Sequence, residues 1–581
     1  MPGTQHTVTS LPPDDLTPDE VALCFPEQLD PLEGGVFEIA LVLAGTASAG
    51  AYTAGVLDYL IEALDAWEAE RGKPGVPAHR VVISSATGTS GGAINGAILA
   101  RAARYAFPHG PCSGNPFYDT WIGAAGLEHF LATPENESTL EALLSTQRIE
   151  QVASRLLTFE GQPLQRPYLA NPFRLCMTLG NLTGIPYSVR FAGTDDFRHG
   201  MTAHADHVRF SLALEGGHPN RDDPRRDQFS LKHGDPANWQ QLRAGALATS
   251  AFPGAFKARP IERPLDFLRY RAMAVPREGG GIDVRPLVPD WDVLATDGKL
   301  PHLVKTANVD GGAFNNEPID FGHAMLAGLA GRNPRTADLV TRALVLIDPF
   351  SNGQTLGAAR PGNLLKTLGA LVGAEIAQAR FKPSDVALAG DESTFSRFLL
   401  APVGPSELSP REIGSAAITA SGLDGFLAFV HPDLSRHDFE LGRYNAHRFL
   451  RSHFALPFGV ANAGITNWEA NTEDGACFED DGAKWRRLVY LTPALLKNPP
   501  PPPERPSIPL PEAETKKAIH ARLSHVVELA EDLAGLNDTL KGQLLGAYLS
   551  PVKWIGETKV VDAAYEMIRT ALDERMLLLE T

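Results

Sequence analysis

Cysteine is scarce in this chain: four residues in 581 (Cys24, Cys112, Cys176 and Cys477), none of them in a C-x-x-C pair. That argues against a disulfide scaffold and a cysteine-built zinc module, and it fits a reducing compartment. Positive charge is in deficit as well. Lys and Arg number 52 against 69 Asp and Glu, a net charge of −17. Such a balance argues against nucleic acid as a partner and against general attraction to anionic lipid. Long apolar runs are missing too. The nearest approach, Leu364 to Ala377, is broken by Lys366 and Glu375, whereas a membrane-spanning helix needs about 20 apolar residues. The polar start Met1-Pro2-Gly3-Thr4-Gln5-His6 has neither the basic nor the apolar region of a secretory signal. The expectation is a cytoplasmic protein. With 43% hydrophobic and 21% charged residues, the chain has ample material for a large core.

The apolar pattern gives the fold class. Phe37 to Leu43 reads as a strand, followed by the small-residue loop Gly45-Thr46-Ala47-Ser48-Ala49-Gly50. Val56, Leu57, Leu60, Ile61 and Leu64 then recur at the spacing of an amphipathic helix. A second β-branched run, Val81-Val82-Ile83, leads into Gly88-Thr89-Ser90-Gly91-Gly92 and another small-residue helix. Strand–helix alternation of this kind predicts a parallel sheet with helices on both faces. Residues 105 to 240 read as insertions of short helices and loops over that core. Arg342 to Ile347 reads as a further strand, and helical pieces dominate from about 350 to 497. Pro499 to Pro503, with Pro506, Pro509 and Pro511, marks a polyproline linker or surface strap. The stretches 512–533 and 559–579 carry helical periodicity.

Four blocks carry chemistry. Gly88-x-Ser90-x-Gly92 between a strand and a helix has the form of a nucleophile elbow, and a Gly-rich turn without chemistry has the same form. In the Gly45–Gly50 loop, backbone amides could converge on a developing oxyanion. Ala246 to Phe256 is a small-residue helix stopped by Pro253. Asp310-Gly311-Gly312 ends an apolar stretch and precedes Asn316-Glu317-Pro318; the same tripeptide type at Asp474 and Asp481 sits in an acidic loop, where solvated charge is the expected role.

In this order, the blocks resemble the patatin-like phospholipase family. The loop with Gly55-Val56-Leu57 after it, the elbow at Ser90, the A-x-x-A-x-P-x-x-F block at 246–256 and the D-G-[GA] block at Asp310 are similar to that family's motifs over residues 36 to 350. The resemblance implies a three-layer α/β/α sandwich around a largely parallel sheet. It implies a lipid acyl hydrolase with Ser90 as nucleophile and Asp310 as general base. Gly45, Thr46 and Ala47 would form the oxyanion hole, and Gly88, Gly92, Gly311 and Gly312 would shape the turns. No metal or cofactor is expected. The substrate would be a phospholipid, lysophospholipid or neutral lipid ester, with peripheral membrane contact. The divisions that follow are a polar extension at 1–35, a catalytic domain at 36–350, a mostly helical extension at 351–497 packed on the core, a Pro-rich linker at 498–511 and a helical segment at 512–581. One departure stands out: the family's loop reads G-G-G-x-[RK]-G, and here its cation position holds Ala49.

Other readings compete. A degenerate member would bind lipid or a protein without turnover. A Ser–His–Asp esterase would recruit a histidine, with His323 the nearest candidate after Asp310. His199, His204 and His207 beside Asp206 lack the spacing of a known zinc motif and read as surface histidines. Leu265 to Met273 mixes apolar residues with Arg269 and Arg271, the composition either of an interfacial segment or of a core-facing one with snorkelling arginines.

Overall fold

A computed structural model of the chain describes residues 16–25, 32–190, 198–219, 228–329, 331, 333–351, 374, 377–380, 387, 390–391, 393–405, 412–465, 475–535 and 557–579. The apolar run Leu364 to Ala377 and the motif at Asp474 lie almost wholly outside these residues. The described chain opens with α1 (Pro18–Cys24), started by a reciprocal capping box between Thr17 and Glu20. Strand β1 (Val36–Leu43), helix α2 (Gly50–Glu70), strand β2 (Arg80–Gly88) and helix α3 (Ser90–Ala102) follow in the alternation read from the sequence. Helices α4 (Pro116–Ala124), α5 (Leu127–Phe130) and α6 (Gln147–Leu157) precede the long ribbon of β3 (Leu169–Arg190) and β4 (Arg198–Leu212). Then come β5 (His218–Pro219), β6 (Gln228–Leu231), α7 (Pro236–Thr249), β7 (Arg259–Pro264), the hairpin β8–β9 (Ala272–Pro276, Ile282–Pro286), α8 (Trp291–Leu294), β10 (Leu303–Asp310) and α9 (Ile319–Ala327). Strands β11 (Arg342–Ile347) and β12 (Arg397–Leu400) complete the main sheet.

The sheet runs β12-β11-β1-β2-β3-β10-β7, parallel from β12 to β3. Every residue of β1 is buried, as a strand covered on both faces requires. Its two faces separate cleanly. Phe37, Ile39, Leu41 and Leu43 pack in the core with α2, while Ala40 and Val42 pack with Ile319 and Leu326 of α9. This is the predicted three-layer arrangement. The sheet extends past residue 350, because β12 pairs in parallel with β11.

The β3–β4 ribbon was not expected from the sequence, which read 105 to 240 as short helices and loops. Its strands carry breakers: Pro172 and Pro186, Gly180 and Gly184. Pro172 falls where the β2–β3 pairing skips from Leu169 to Arg174, so its missing N–H costs no ladder bond there.

The helix Pro432–Ser452 crosses α2 closely. A side chain at Gly55 would overlap the Phe439 carbonyl, and one at Gly442 would overlap the Tyr52 carbonyl. Arg443 of this helix pairs with the fully buried Asp58 and with Glu62 of α2. The C-terminal helices, Glu512–Gly535 and Glu557–Asp573, pack together and dock. Arg522 binds the Glu137 carboxylate and the carbonyls of Ala132, Ala142 and Leu143. The proline-rich stretch is strapped down as well, with the Ile508 amide donating to the Leu577 carbonyl at 2.8 Å.

Candidate active site

Strand pairing brings the elbow and the aspartate together. Residues 173–180 of β3 spend one edge on β4, so β2 and β10 must share the other. β2 runs parallel to β3 and its last residue, Gly88, pairs with Met177. β10 runs antiparallel and its last residue, Asp310, pairs with Leu179. The two strands therefore point their C-terminal ends at each other, two residues apart on β3. The turn after β2 delivers Ser90, and the end of β10 delivers Asp310.

Ser90 has φ +50, the strained backbone of a nucleophile elbow. Two flanking glycines are required by close approach. A Cβ at Gly92 would overlap the Leu43 and Ala44 carbonyls, and one at Gly88 would crowd Ala93. The Ser90 amide donates to Thr249 Oγ1 at 2.9 Å, and the Asp310 amide donates to the Ala251 carbonyl at 2.9 Å. The 246–256 block thus anchors the backbone of both residues.

The Asp310 carboxylate accepts from the Gly312 amide at 2.8 Å, and the Ser90 hydroxyl lies close enough to favour its charged form. Burial pushes its pKa up to about 6, and the Ser90 hydroxyl and the Gly312 amide only partly offset the rise. A carboxylate with that value is ionised at neutral pH and is a stronger base than an exposed one.

The first loop ends β1 and turns into a 3₁₀ turn at Ala47–Ala49. Of the three residues expected to form an oxyanion hole, Gly45 spends its amide on the Asn316 carbonyl at 3.0 Å, so that amide is not available to an oxyanion. Ala47, at φ +43, lines the pocket. Its amide and that of Gly91 meet no backbone acceptor among the described residues. Ala49 is fully buried, so the cation position of the family's loop has no solvent to face. Asn95 ties loop to elbow: its Nδ2 donates to the carbonyls of Gly50 (2.8 Å) and Gly91 (3.1 Å), and its Oδ1 accepts from Trp121 Nε1 at 2.9 Å. On the other side, Asn316 donates to the Gly45 carbonyl (3.3 Å) and to Glu317, which Arg380 grips at 2.8 Å.

Ser90 and Asp310 open onto a pocket with about 790 Å³ of free space, part of it continuous with solvent. Its walls are apolar: Ile94 and Ala97 of α3, Trp121 of α4, Val152 and Leu156 of α6, and Phe252, Phe256, Phe426 and Phe429. Among the described residues no histidine lines it. His323 is engaged elsewhere, by the Gly331 carbonyl at 3.0 Å and Arg397 at 3.2 Å.

Two other stretches singled out in the sequence lie away from the pocket. Asp206 is buried between Arg263 and Arg271; burial raises its pKa, and the two guanidiniums overcome that and hold it well below the usual range. No cluster of metal-ligating side chains exists among the described residues. Leu265 and Leu268 are buried against Ile185, Tyr187 and Trp291, so the 265–273 segment is core-facing and its Arg271 is spent on Asp206. Among the described residues no helix is long and apolar enough to cross a membrane. Sequence reasoning missed Asn95, Thr249, the Gly91 amide and the two phenylalanines from 423–429. Asn95, a polar residue flanked by Ile94 and Gly96 in the small-residue part of α3, was the one with a local signal.

An elbow serine, a buried carboxylate and an apolar pocket stand together at the end of the mostly parallel sheet of an α/β fold. Comparison with known proteins finds a family match: the patatin-like phospholipase family model matches residues 41–322, so that stretch is similar to this family's domain. The chain is also similar to an uncharacterised protein, y4iI, of Sinorhizobium fredii (strain NBRC 101917 / NGR234). The two are 31% identical over an alignment of 463 residues that covers 72% of this chain and 65% of that relative.

Proposed function

We propose that this protein hydrolyses lipid carboxylic esters through a Ser90–Asp310 dyad. The observation that carries the proposal is Ser90 beside a buried carboxylate in one apolar pocket, with no histidine among the described residues that line it. Ser90 Oγ attacks the ester carbonyl and its proton passes to Asp310. The amides of Ala47 and Gly91 meet the oxyanion, aided by the positive end of α3. Collapse breaks the ester bond; Asp310 returns the proton to the departing alcohol and leaves an acyl-Ser90. Water then attacks the acyl carbon while Asp310 takes its proton. The second collapse releases the fatty acid, and the proton returns to Ser90 Oγ.

The apolar walls favour a fatty-acyl group over a polar acid. An ester of that kind arrives from a lipid surface, so peripheral contact with lipid belongs to the proposal.

The test is a panel of phospholipid, lysophospholipid and neutral lipid esters against wild type, Ser90→Ala, Asp310→Asn and His323→Ala. Loss in the first two variants, with His323→Ala near wild type, supports the dyad. Turnover that survives in Asp310→Asn and disappears in His323→Ala would replace it with a triad.

A further inference from the structure

One segment outside the 41–322 family match reaches the site twice. Residues 422–429 form consecutive 3₁₀ turns, and three residues in a row there have left-handed backbone: Leu423 (φ +52), Asp424 (+54) and Gly425 (+93). Non-glycine residues hold such angles only where surrounding contacts over-determine them. The contacts are with the Gly45–Gly50 loop. The fully buried Ser48 donates its hydroxyl to the Gly425 carbonyl at 2.5 Å and accepts from the Ala428 amide at 3.2 Å. Gly425 sits against Ala47 so closely that an added Cβ would lie 3.5 Å from the Ala47 Cβ.

The same segment sends Phe426 and Phe429 into the pocket. Phe426 meets Phe252 edge-on at 5.3 Å, and Phe429 stacks on Trp121 at 6.4 Å and tilts against Phe130 at 4.9 Å. Its far side is fixed independently. The Asp438 carboxylate accepts from the Thr419 and Ala420 amides, and Ser435 donates to the Ala428 carbonyl. Helix 557–573 backs the turns.

We propose that the 422–429 segment is a working part of the active site, with Ser48 as a positioning residue that holds the Ala47 amide on the oxyanion and with Phe426 and Phe429 as the wall that selects acyl-chain length. This rests on the ester-hydrolase reading above. One residue type at one position does both tasks' coupling: Ser48 pins to the loop the turns that carry the wall.

The experiment measures kcat and KM on p-nitrophenyl esters from acetate to palmitate for wild type, Ser48→Ala, Phe429→Ala and the milder Phe429→Leu. A parallel series displaces a dansylated undecanoic acid with fatty acids of increasing length. Ser48→Ala should lower kcat about tenfold or more at every chain length with little change in KM, the signature of a misplaced donor. Phe429→Ala should shift the optimum toward longer chains in both series, and Phe429→Leu should shift it less. A Ser48→Ala enzyme with kcat within about twofold of wild type overturns the positioning role. Chain-length profiles in Phe429→Ala that superimpose on wild type overturn the wall. A wild type that turns over no ester overturns the hydrolase reading and the role of Ser48 with it, while the displacement series still decides the wall.

Discussion

Asp310→Asn should make this protein inactive and more stable. Asp310 is 5% exposed, and its pKa rises from 3.8 to about 6 because burial disfavours the charged form. The folded state therefore binds the proton more tightly than the unfolded chain does. Below about pH 4 both states are protonated and the carboxyl costs nothing extra. Between about pH 4 and 6 the unfolded chain ionises first, and wild type loses stability as pH rises. Above about pH 6 the loss is complete and constant. From 3.8 to about 6, at about 1.4 kcal/mol per tenfold change in proton affinity, the cost is about 3 kcal/mol. Asn keeps an oxygen for the Gly312 amide and carries no charge, so it avoids that cost. Urea unfolding of wild type and Asp310→Asn at pH 4.5 and pH 8 measures it, and differencing the two proteins cancels groups they share. The variant should be more stable at pH 8, by up to about 3 kcal/mol, with a clearly smaller gain at pH 4.5. A variant less stable than wild type at pH 8, or a difference that does not change with pH, would refute the reasoning.

Further outcomes follow from the same geometry. The rate kcat/KM should fall on the acid side through about pH 6 as Asp310 is protonated, about tenfold by pH 5; a pH–rate profile flat from 5 to 7.5 would contradict it. Thr249→Val leaves the buried Ser90 amide without its acceptor and should cost about 1–3 kcal/mol of stability together with activity, read by thermal unfolding and initial rates. Arg380→Ala removes the partner of the buried Glu317, which braces Asn316 against the Gly45 loop; kcat should fall, and Arg380→Lys should restore part of it. Arg522→Ala should release the 512–535 helix from the 132–143 loop and leave Glu137 without its bidentate partner; limited proteolysis should then cut near the C-terminus faster than in wild type.

The first half of the fold was legible because local signals agreed. The run 36–43 is apolar but for Glu38, Val81-Val82-Ile83 is β-branched, the α2 face repeats at helical spacing, and glycines mark the turns. Ser90 and Asp310 were readable for the same reason: each ends a strand in a Gly-rich turn. The β3–β4 ribbon was illegible because Pro172, Gly180 and Gly184 read as loop, whereas tertiary pairing on both edges of β3 overrides local propensity. Thr249 lay inside a recognised block, but nothing local says that a hydroxyl near a helix end will accept from the Ser90 amide. Phe426 and Phe429 gave no signal at all, since aromatic residues in a helical stretch read as core. Their role depends on the 432–452 helix crossing α2 at Gly55 and Gly442, a packing that only the folded chain displays.

The dyad is tested most directly by the rate at which a fluorophosphonate ester modifies the protein, followed by intact mass and peptide mapping. The account predicts one adduct on Ser90 in wild type, a labelling rate at least about 100-fold lower in Asp310→Asn, and no change in His323→Ala. An adduct at another residue, or labelling of Ser90 that is as fast in Asp310→Asn as in wild type, would contradict it.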